Sequence, residues 1–519
     1  MSLVIKFASV GGATMASRAL GFVREAMIGA ALGAGPIADA FYAAFRFPNL
    51  FRRIFAEGAF NTAFIPLFAK EIEADGRDGA RRFAEEVLSF LVMALLVLSA
   101  VAMIFMPFLV GTVIAPKFAD TPDKFAATVD MTRIMFPYLF AMSLLAMLSG
   151  ILNSLRKYFL AALAPVFLNA LMIVALIAAR SAGADGPATG LWISWGVVIS
   201  GFVQVALVAW GVWREGFALS FSRPRLTPGV KRLMVLMGPA VLTGGVVQIN
   251  LLVGQIIASA QDGAIALLNY ADRINQLPLG VIGVAIGVVL LPELSRALRA
   301  KDDGEAQHLQ NRSLEFALGL TLPAAVGLMV FPEPIVALIY QRGAFTPETT
   351  RLTAAALAAF ASGLPAYVLA KVFQPAYFAR EDTRTPLWFS IANVAVNIVV
   401  SLALFPVWGH VALAAATSVA AWVNIGLLVG GLALHGHYRP SPHTVRRVAM
   451  IAASSAVMGV VLWGLAGLFA GWLAGGFWSR LVAMTLVIAV AAIVYFAAVV
   501  LSGGLSRTEL ERALRRRRS

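Results

Sequence analysis

Apolar runs long enough to cross a lipid bilayer follow one another from residue 10 to residue 502, separated by short polar breaks. A span takes about 20 consecutive apolar residues. Hydrocarbon offers no water to backbone N–H and C=O groups, so runs of this kind are helices. Fourteen are legible, at 10–33, 37–69, 84–114, 125–153, 159–180, 187–213, 233–260, 264–298, 312–341, 347–379, 386–406, 409–435, 446–472 and 478–502. The fold expected is an all-α polytopic membrane protein, consistent with a composition that is 60% hydrophobic and 13% charged. The opening residues "MSLVIKFASVGGATMASR" hold two glycines and reach Arg18 before any strong apolar core, which argues against a cleaved signal peptide. With no cysteine, disulfides, thiolate metal sites and cysteine nucleophiles are excluded.

An even number of spans puts both termini on one side, and the basic residues say which. Of 41 Lys and Arg, 27 fall in the segments that share a side with the termini and 6 in the opposite loops: Lys117, Lys124, Arg180, Arg342, Arg351 and Arg480. Both termini are therefore expected in the cytoplasm. The +14 net charge and the tail "RALRRRR" then face anionic phospholipid headgroups rather than nucleic acid.

Landmarks recur at nearly one spacing. Pro66 in "IPLF" answers Pro292 in "LPEL", Thr121–Pro122 answers Thr346–Pro347, and Pro137 in "FPYLF" answers Pro365 in "LPAYV", at offsets of 226, 225 and 228. These offsets imply two six-helix lobes in parallel repeat plus two C-terminal helices, divided as 1–220, 221–437, 438–505 and a basic tail, 506–519. Parallel repeats commonly rock about a central substrate site.

The remaining 8 basic residues lie inside spans: Arg18, Arg24, Arg46, Arg52, Arg53, Arg133, Arg273 and Lys371. Charge in hydrocarbon is costly and usually faces a wet cavity or a partner. Asp39, Arg46 and Arg53 share one helical stripe at seven-residue steps, with Glu57 a turn further, so that stripe can neutralise itself. Arg52 points about 100° away from it and has no acidic residue three or four positions off. Pro48, just before it, is a candidate hinge, and Gly21 permits bending between Arg18 and Arg24. Glu25 compensates Arg18 in part, leaving Arg24 less satisfied. Asp272 and Arg273 precede Pro278, which answers Pro48 at an offset of 230. Arg18, Arg24, Arg52 and Arg273 are thus the candidate ligand-binding residues. Ser17, Gly21, Glu25, Asp39, Pro48 and Asp272 are the candidate gate or hinge. Arg133 and Lys371 are taken as snorkelling or structural. Arginine forks suit phosphate oxygens, so the expected ligand is anionic and phosphorylated.

Other chemistry is sparse. The histidines of "HGHYRPSPH" fit no strong zinc spacing, and no Walker loop is present. No cofactor is expected. Asn393 and Asn397, one turn apart, suit interhelical hydrogen bonds; a monovalent cation site, with Asn250 and Thr417 as partners, is the alternative.

The blocks "SRALGFVREAMIGAALGAG", "ADAFYAAFRFPNLFRRIFAEGAFNTAFIP", "APKFADTPDKF" and "YADRINQLPLGVIGVAIGVVLLPELS" resemble the MurJ (MviN) family of lipid II flippases, of the MOP exporter superfamily. The resemblance implies fourteen helices, a V-shaped cavity, and a groove at helices 13 and 14 for a long lipid tail. It implies that Arg18, Arg24, Arg52 and Arg273 match the family's cavity arginines, that lipid II is the substrate, and that cell-wall synthesis proteins are partners. Two positions depart from the family pattern: Glu25 stands where Asp is frequent, and Gln276 where Glu is. The acidic positions of a cation site known in some members appear here as asparagines or are absent. Rival readings are a flippase for another polyprenyl-linked oligosaccharide and a membrane enzyme acting on polyprenyl diphosphate. The enzyme would need an Asp-rich metal site or a general base beside the arginines.

The charge asymmetry makes a direct prediction. A reporter fused after Ser519 is expected to be active only in the cytoplasm, and one inserted at 117–124 only outside; the reverse pattern overturns the orientation.

Overall fold

The computed structural model describes residues 3–53, 60–300 and 302–504, so Glu57 and the basic tail lie outside the described residues. Among those described, all regular structure is helical. Contacts divide the chain into two compact units, Met1–Ala266 with Arg342–Phe345, and Leu267–Gln341 with Thr346–Ser519.

In the first unit, α1 (Leu3–Leu32) turns at 33–35 into α2 (Pro36–Phe51), whose first position is a proline, where its missing N–H costs nothing. Next comes α3 (Asn61–Ile104), interrupted at Gly76, whose φ of 68° and ψ of −161° are non-helical. Then follow α4 (Met106–Leu109), a π-helical turn at Val110–Ile114, α5 (Pro122–Met135), α6 (Pro137–Ser154), α7 (Phe159–Ser181), α8 (Gly186–Arg214) and α9 (Pro228–Ala258). Helix α7 packs along both α1 and α8, and α2 along α5. Phe64 centres the core, stacked on Phe60, Phe68 and Phe83 with ring centroids 5.1 to 5.8 Å apart. Helix α9 belongs with this unit because it lies on α3 and because buried Gln255 donates from Nε2 to the Ile114 carbonyl at 2.9 Å.

The second unit holds most of α10 (Ala264–Arg299), then α11 (Asp303–Val330), α12 (Pro332–Tyr340), α13 (Pro347–Ala361), α14 (Leu364–Phe378), α15 (Arg384–Trp408), α16 (His410–Leu434), α17 (Pro442–Leu468), α18 (Ala470–Ala474) and α19 (Phe477–Leu501). The two C-terminal long helices are fixed to α11. Buried Glu315 accepts from Thr444 Oγ1 at 2.8 Å and Arg447 Nη1 at 2.9 Å, and Tyr495 donates to the Gly319 carbonyl at 2.6 Å.

Two of the three recurring landmarks appear in both units as helix breaks, whereas Pro66 and Pro292 lie inside α3 and α10. Thr121 and Thr346 precede α5 and α13, and each of these helices stops before a second proline-led helix, α6 with Pro137 and α14 with Pro365. Two local expectations need correction. Helix α1 runs unbroken through Gly21, and α2 continues through Pro48, so neither residue ends a helix. Ten helical stretches among the described residues are long and apolar enough to cross a membrane. The runs expected at 10–33, 37–69, 233–260 and 264–298 are not among them as separate stretches, so length and composition do not establish fourteen. Even so, α1, α9 and α10, at 30, 31 and 36 residues, have the length to span. Residues of α3, α4, α17 and α19, among them Ile104, Phe108, Trp463 and Trp478, are exposed apolar groups of the kind lipid solvates.

Two turns of the first unit depend on glycine. Gly343 has φ +58°, and a Cβ there would lie 2.3 Å from the Ala30 carbonyl; at Gly263, φ +76°, the corresponding distance is 2.5 Å to the Ala34 carbonyl. Gly254, inside α9, has nothing within 4 Å. Thermal unfolding in detergent should show Gly343→Ala and Gly263→Ala destabilised by at least the ~1–3 kcal/mol of a strained backbone position, and Gly254→Ala neutral or stabilised, since alanine favours a helix interior.

Candidate functional site

On α1, Ser17, Gly21 and Arg24 are separated by four and three residues and so share one face. That face meets a single amide, Asn169 of α7. Asn169 Nδ2 donates to the Ser17 carbonyl at 2.9 Å and reaches Ser17 Oγ at 3.3 Å, while Asn169 Oδ1 accepts from Arg24 Nη1 at 2.9 Å. A Cβ on Gly21 would sit 3.5 Å from Asn169 Oδ1, so the glycine brings the helices close enough for this amide to serve both neighbours. Arg24 is 4% exposed and Glu25 2%. Arg24 Nη2 is ion-paired with Glu25 Oε1, and Glu25 Oε2 accepts from the Tyr42 hydroxyl of α2 at 2.7 Å. Arg24 Nε is buried without a hydrogen-bond partner.

This overturns the expectation that Glu25 compensates Arg18 and leaves Arg24 unsatisfied. Adjacent helix positions diverge at Cβ, but the long arginine stem swings its head back to the neighbouring carboxylate. The arrangement is a neutral, buried pair in which a planar guanidinium fork is held by a carboxylate, chemistry that a phosphate oxygen can replace.

A second charged cluster surrounds Asp39, which is fully buried. Its carboxylate accepts from Lys124 Nζ of α5 at 2.8 Å, and from the N–H groups of Gly263 at 2.7 Å and Ala266 at 3.0 Å. Asp39 therefore caps the start of α10, where a negative charge meets the positive end of the helix dipole. Lys124 is 2% exposed, lies over the Phe118 ring at 4.1 Å, and also pairs at 2.8 Å with Asp262, whose side chain is 81% exposed. The stripe of Asp39, Arg46 and Arg53 is thus not what neutralises Asp39. Lys124, counted from sequence as a loop residue, does so.

Arg18 is exposed on α1 and makes no hydrogen bond or ion pair among the described residues. Arg52 is half-buried just past α2 and donates from Nε to Asn49 Oδ1 at 2.7 Å. Arg46 is half-buried and Arg53 exposed. Arg273 belongs to the second unit, half-buried on α10, where neighbouring Asp272 accepts from Gln276. Arg133 donates from Nε to the Met103 carbonyl at 3.1 Å, and Lys371 is exposed on α14. Asn397 Nδ2 donates to Thr417 Oγ1 at 3.1 Å, joining α15 to α16, while Asn393 is half-buried.

A family model described as lipid II flippase MurJ matches residues 28–499. A protein of Rhizobium meliloti (strain 1021) named probable lipid II flippase MurJ is 52% identical over 522 residues, covering 99% of this chain and 97% of its own. A solved lipid II flippase MurJ in an inward closed conformation has a TM-score of 0.76 at 24% identity, over 94% of this chain and 97% of that one. An inward-facing multidrug resistance MATE family transporter of the MOP superfamily has a TM-score of 0.65 at 16% identity, over 81% and 95%. The two structural likenesses establish the fold.

The Asp39–Lys124 pair lends itself to a double-mutant cycle. Lys124→Met leaves a buried carboxylate without its cation, a loss of about 3–5 kcal/mol, whereas Asp39→Asn with Lys124→Met removes both charges. Thermal unfolding should show the double variant less destabilised than Lys124→Met alone; a double-variant loss equal to the sum of the Lys124→Met and Asp39→Asn losses means the two residues are not coupled.

Proposed function

Since the chain belongs to the MurJ family of lipid II flippases, we propose that it carries lipid II from the cytoplasmic to the periplasmic leaflet of the bacterial inner membrane. Lipid II is the undecaprenyl-diphosphate-linked disaccharide pentapeptide. Transport proceeds by alternating access, and no bond is made or broken. The observation that carries this reading is the match to the family across almost the whole chain.

In the same proposal, fourteen spans divide as first lobe, 1–220, second lobe, 221–437, lipid-tail helices, 438–505, and basic cytoplasmic tail, 506–519. Arg18, Arg52 and Arg273 take the diphosphate directly. What supports Arg18 is its exposure on a membrane helix with no acidic partner among the described residues. Arg24 joins by exchange: the incoming phosphate displaces Glu25 from the guanidinium, and Glu25 keeps its hydrogen bond from Tyr42. Asn169 and Ser17 hold Arg24 in register on α1 while the exchange occurs. Asp39 and Lys124 act as a latch at the start of α10. Anionic phospholipids and cell-wall synthesis proteins are further partners of the assembled transporter.

Depletion in cells, combined with a leaflet-specific assay for lipid II, tests the reading; lipid II reaching the periplasmic face at its normal rate on depletion sinks it. In the same cells, alanine at Arg18, Arg24, Arg52 or Arg273 should abolish complementation while the protein still accumulates in the membrane. A charge-assisted hydrogen bond to phosphate is commonly worth about 1.5–3 kcal/mol, so each substitution removes on the order of tenfold to a hundredfold in ligand affinity. Lysine should rescue poorly because it lacks the fork. Arg46→Ala should be tolerated. If Arg52→Ala flips normally and Arg46→Ala does not, the diphosphate assignment on α2 is wrong.

A further inference from the structure

Between the last turn of α8 and the first of α9, residues 215–227 form no helix, yet they are fastened to α3 along most of their length. Ser220 gives its N–H at 3.0 Å and its hydroxyl at 2.8 Å to Glu85 Oε1. Ser222 N–H donates to Ser89 Oγ at 2.9 Å, and the Thr227 hydroxyl to Glu86 Oε2 at 2.7 Å. Phe217 is 2% exposed, packed on Phe68 with ring centroids 5.7 Å apart and with the Arg77 guanidinium 4.9 Å from its centroid. Arg77 also donates to the Glu215 carbonyl, and the Glu215 carboxylate pairs with Lys157 at 2.9 Å.

Ordering a connector this thoroughly costs conformational entropy, and joining two helices does not require it. The tethering fixes what the strap presents outward. Phe221 is 73% exposed and Leu226 51%, with Arg223 and Arg225 exposed between them. Trp210 and Trp213 are exposed on the last turns of α8, with the Arg214 guanidinium 5.0 Å from the Trp210 ring, and Lys231 and Arg232 are exposed at the start of α9. The nearby carboxylates, Glu85, Glu86 and Glu215, are occupied by the tethers described above. Arg223, Arg225, Lys231 and Arg232 make no ion pair among the described residues.

We propose that this strap is a docking surface for anionic phospholipid headgroups, with Arg223 and Arg225 on the phosphate and Phe221 and Leu226 in the acyl boundary. Exposed tryptophans mark headgroup depth, and basic side chains interleaved with bulky apolar ones suit an anionic bilayer surface. A soluble anion would leave Phe221 and Leu226 in water, and an acidic protein would not call for two tryptophans at headgroup depth. The transporter reading supplies only the leaflet, the cytoplasmic one.

The chain has no cysteine, so Phe221→Cys in the full-length protein carries a single thiol for an environment-sensitive fluorophore. In nanodiscs of phosphatidylcholine mixed with phosphatidylglycerol the label should shift to the blue and be quenched by spin-labelled lipid, and much less so in phosphatidylcholine alone. Arg223→Gln with Arg225→Gln should shrink the anionic-lipid response at least about fivefold, the effect expected of one basic residue near a charged membrane, with thermal unfolding unchanged. Water-like emission in both lipids overturns the proposal, as does a blue shift indifferent to phosphatidylglycerol. So does inorganic phosphate reproducing the response in phosphatidylcholine discs, or a blue shift that appears only with a cell-wall synthesis protein present. Nanodiscs expose both faces, so failure here leaves orientation and lipid II transport untouched, and those are read in cells.

Discussion

Inside hydrocarbon every backbone N–H and C=O must find its partner within the protein, and this constraint governs where the chain is allowed to stop being helical. Helix ends are the points of exposure, because the first turn of each helix leaves N–H groups unpaired. Most starts in this protein take a proline in the first turn, which has no N–H to leave unpaired, or a capping side chain such as Thr227, Thr346 or Ser441. The start of α10 has no such residue of its own. Its Gly263 and Ala266 N–H groups are served by Asp39, 224 and 227 residues distant in sequence. A carboxylate buried for that purpose needs a cation, and Lys124 supplies it. One helix start therefore recruits two further helices, α2 and α5, and an ion pair that would otherwise cost more to bury than it returns.

The Arg24 cluster solves a different problem with similar parts. Here no helix end is at stake: Arg24 and Glu25 both lie in the middle of α1. Glu25 makes the guanidinium neutral as a pair, Tyr42 satisfies the far carboxylate oxygen, and Asn169 takes up one more N–H. Only Nε is left over. Removing a buried partner is far more costly than exchanging it for another of like charge. An anion that arrives with its own oxygens offers that exchange, whereas a neutral ligand does not.

Periodicity and composition were enough to give the helical membrane architecture, and the Thr121/Thr346 and Pro137/Pro365 recurrences anticipated breaks that the structure has at both ends of the offset, while Pro66 and Pro292 proved to lie inside helices. The motif blocks reached the family. What they could not convey was the pairing of charges, because pairing depends on side-chain reach and on helix neighbours far away in sequence. A helical-wheel argument sent Glu25 to Arg18, since it weighs Cβ directions and ignores the length of the arginine stem. The same argument sent Asp39 along its own helix to Arg46, whereas its partners come from α5 and the start of α10. Lys124 was hidden by the "TPD" before it, which signals a helix start in a loop without saying that the loop is buried. Asn169 carried the one usable hint, a lone amide in the apolar run 159–181, since polar groups in such runs commonly bond across helices. For the run expected at 37–69 the span count failed to close for a related reason: α2 is 16 residues long and α3 is interrupted at Gly76, so apolar runs and helices do not correspond one to one.

These two clusters suggest why a carrier of a diphosphate would keep a carboxylate beside its arginine. An unpaired guanidinium in α1 would bind phosphate tightly, but the empty protein would then carry a buried charge, at a penalty of several kcal/mol. With Glu25 in place the empty state is neutral and stable, and the ligand gains only the difference between two anions, less the cost of leaving buried Glu25 with Tyr42 alone. That difference is small enough for release on the far side and grows with the number of other arginines that touch the same diphosphate. Arg18 and Arg52, which are not buried in this way, would then set affinity, and the Arg24–Glu25 pair would set reversibility. A carrier needs both, because binding that cannot be undone moves its substrate only once.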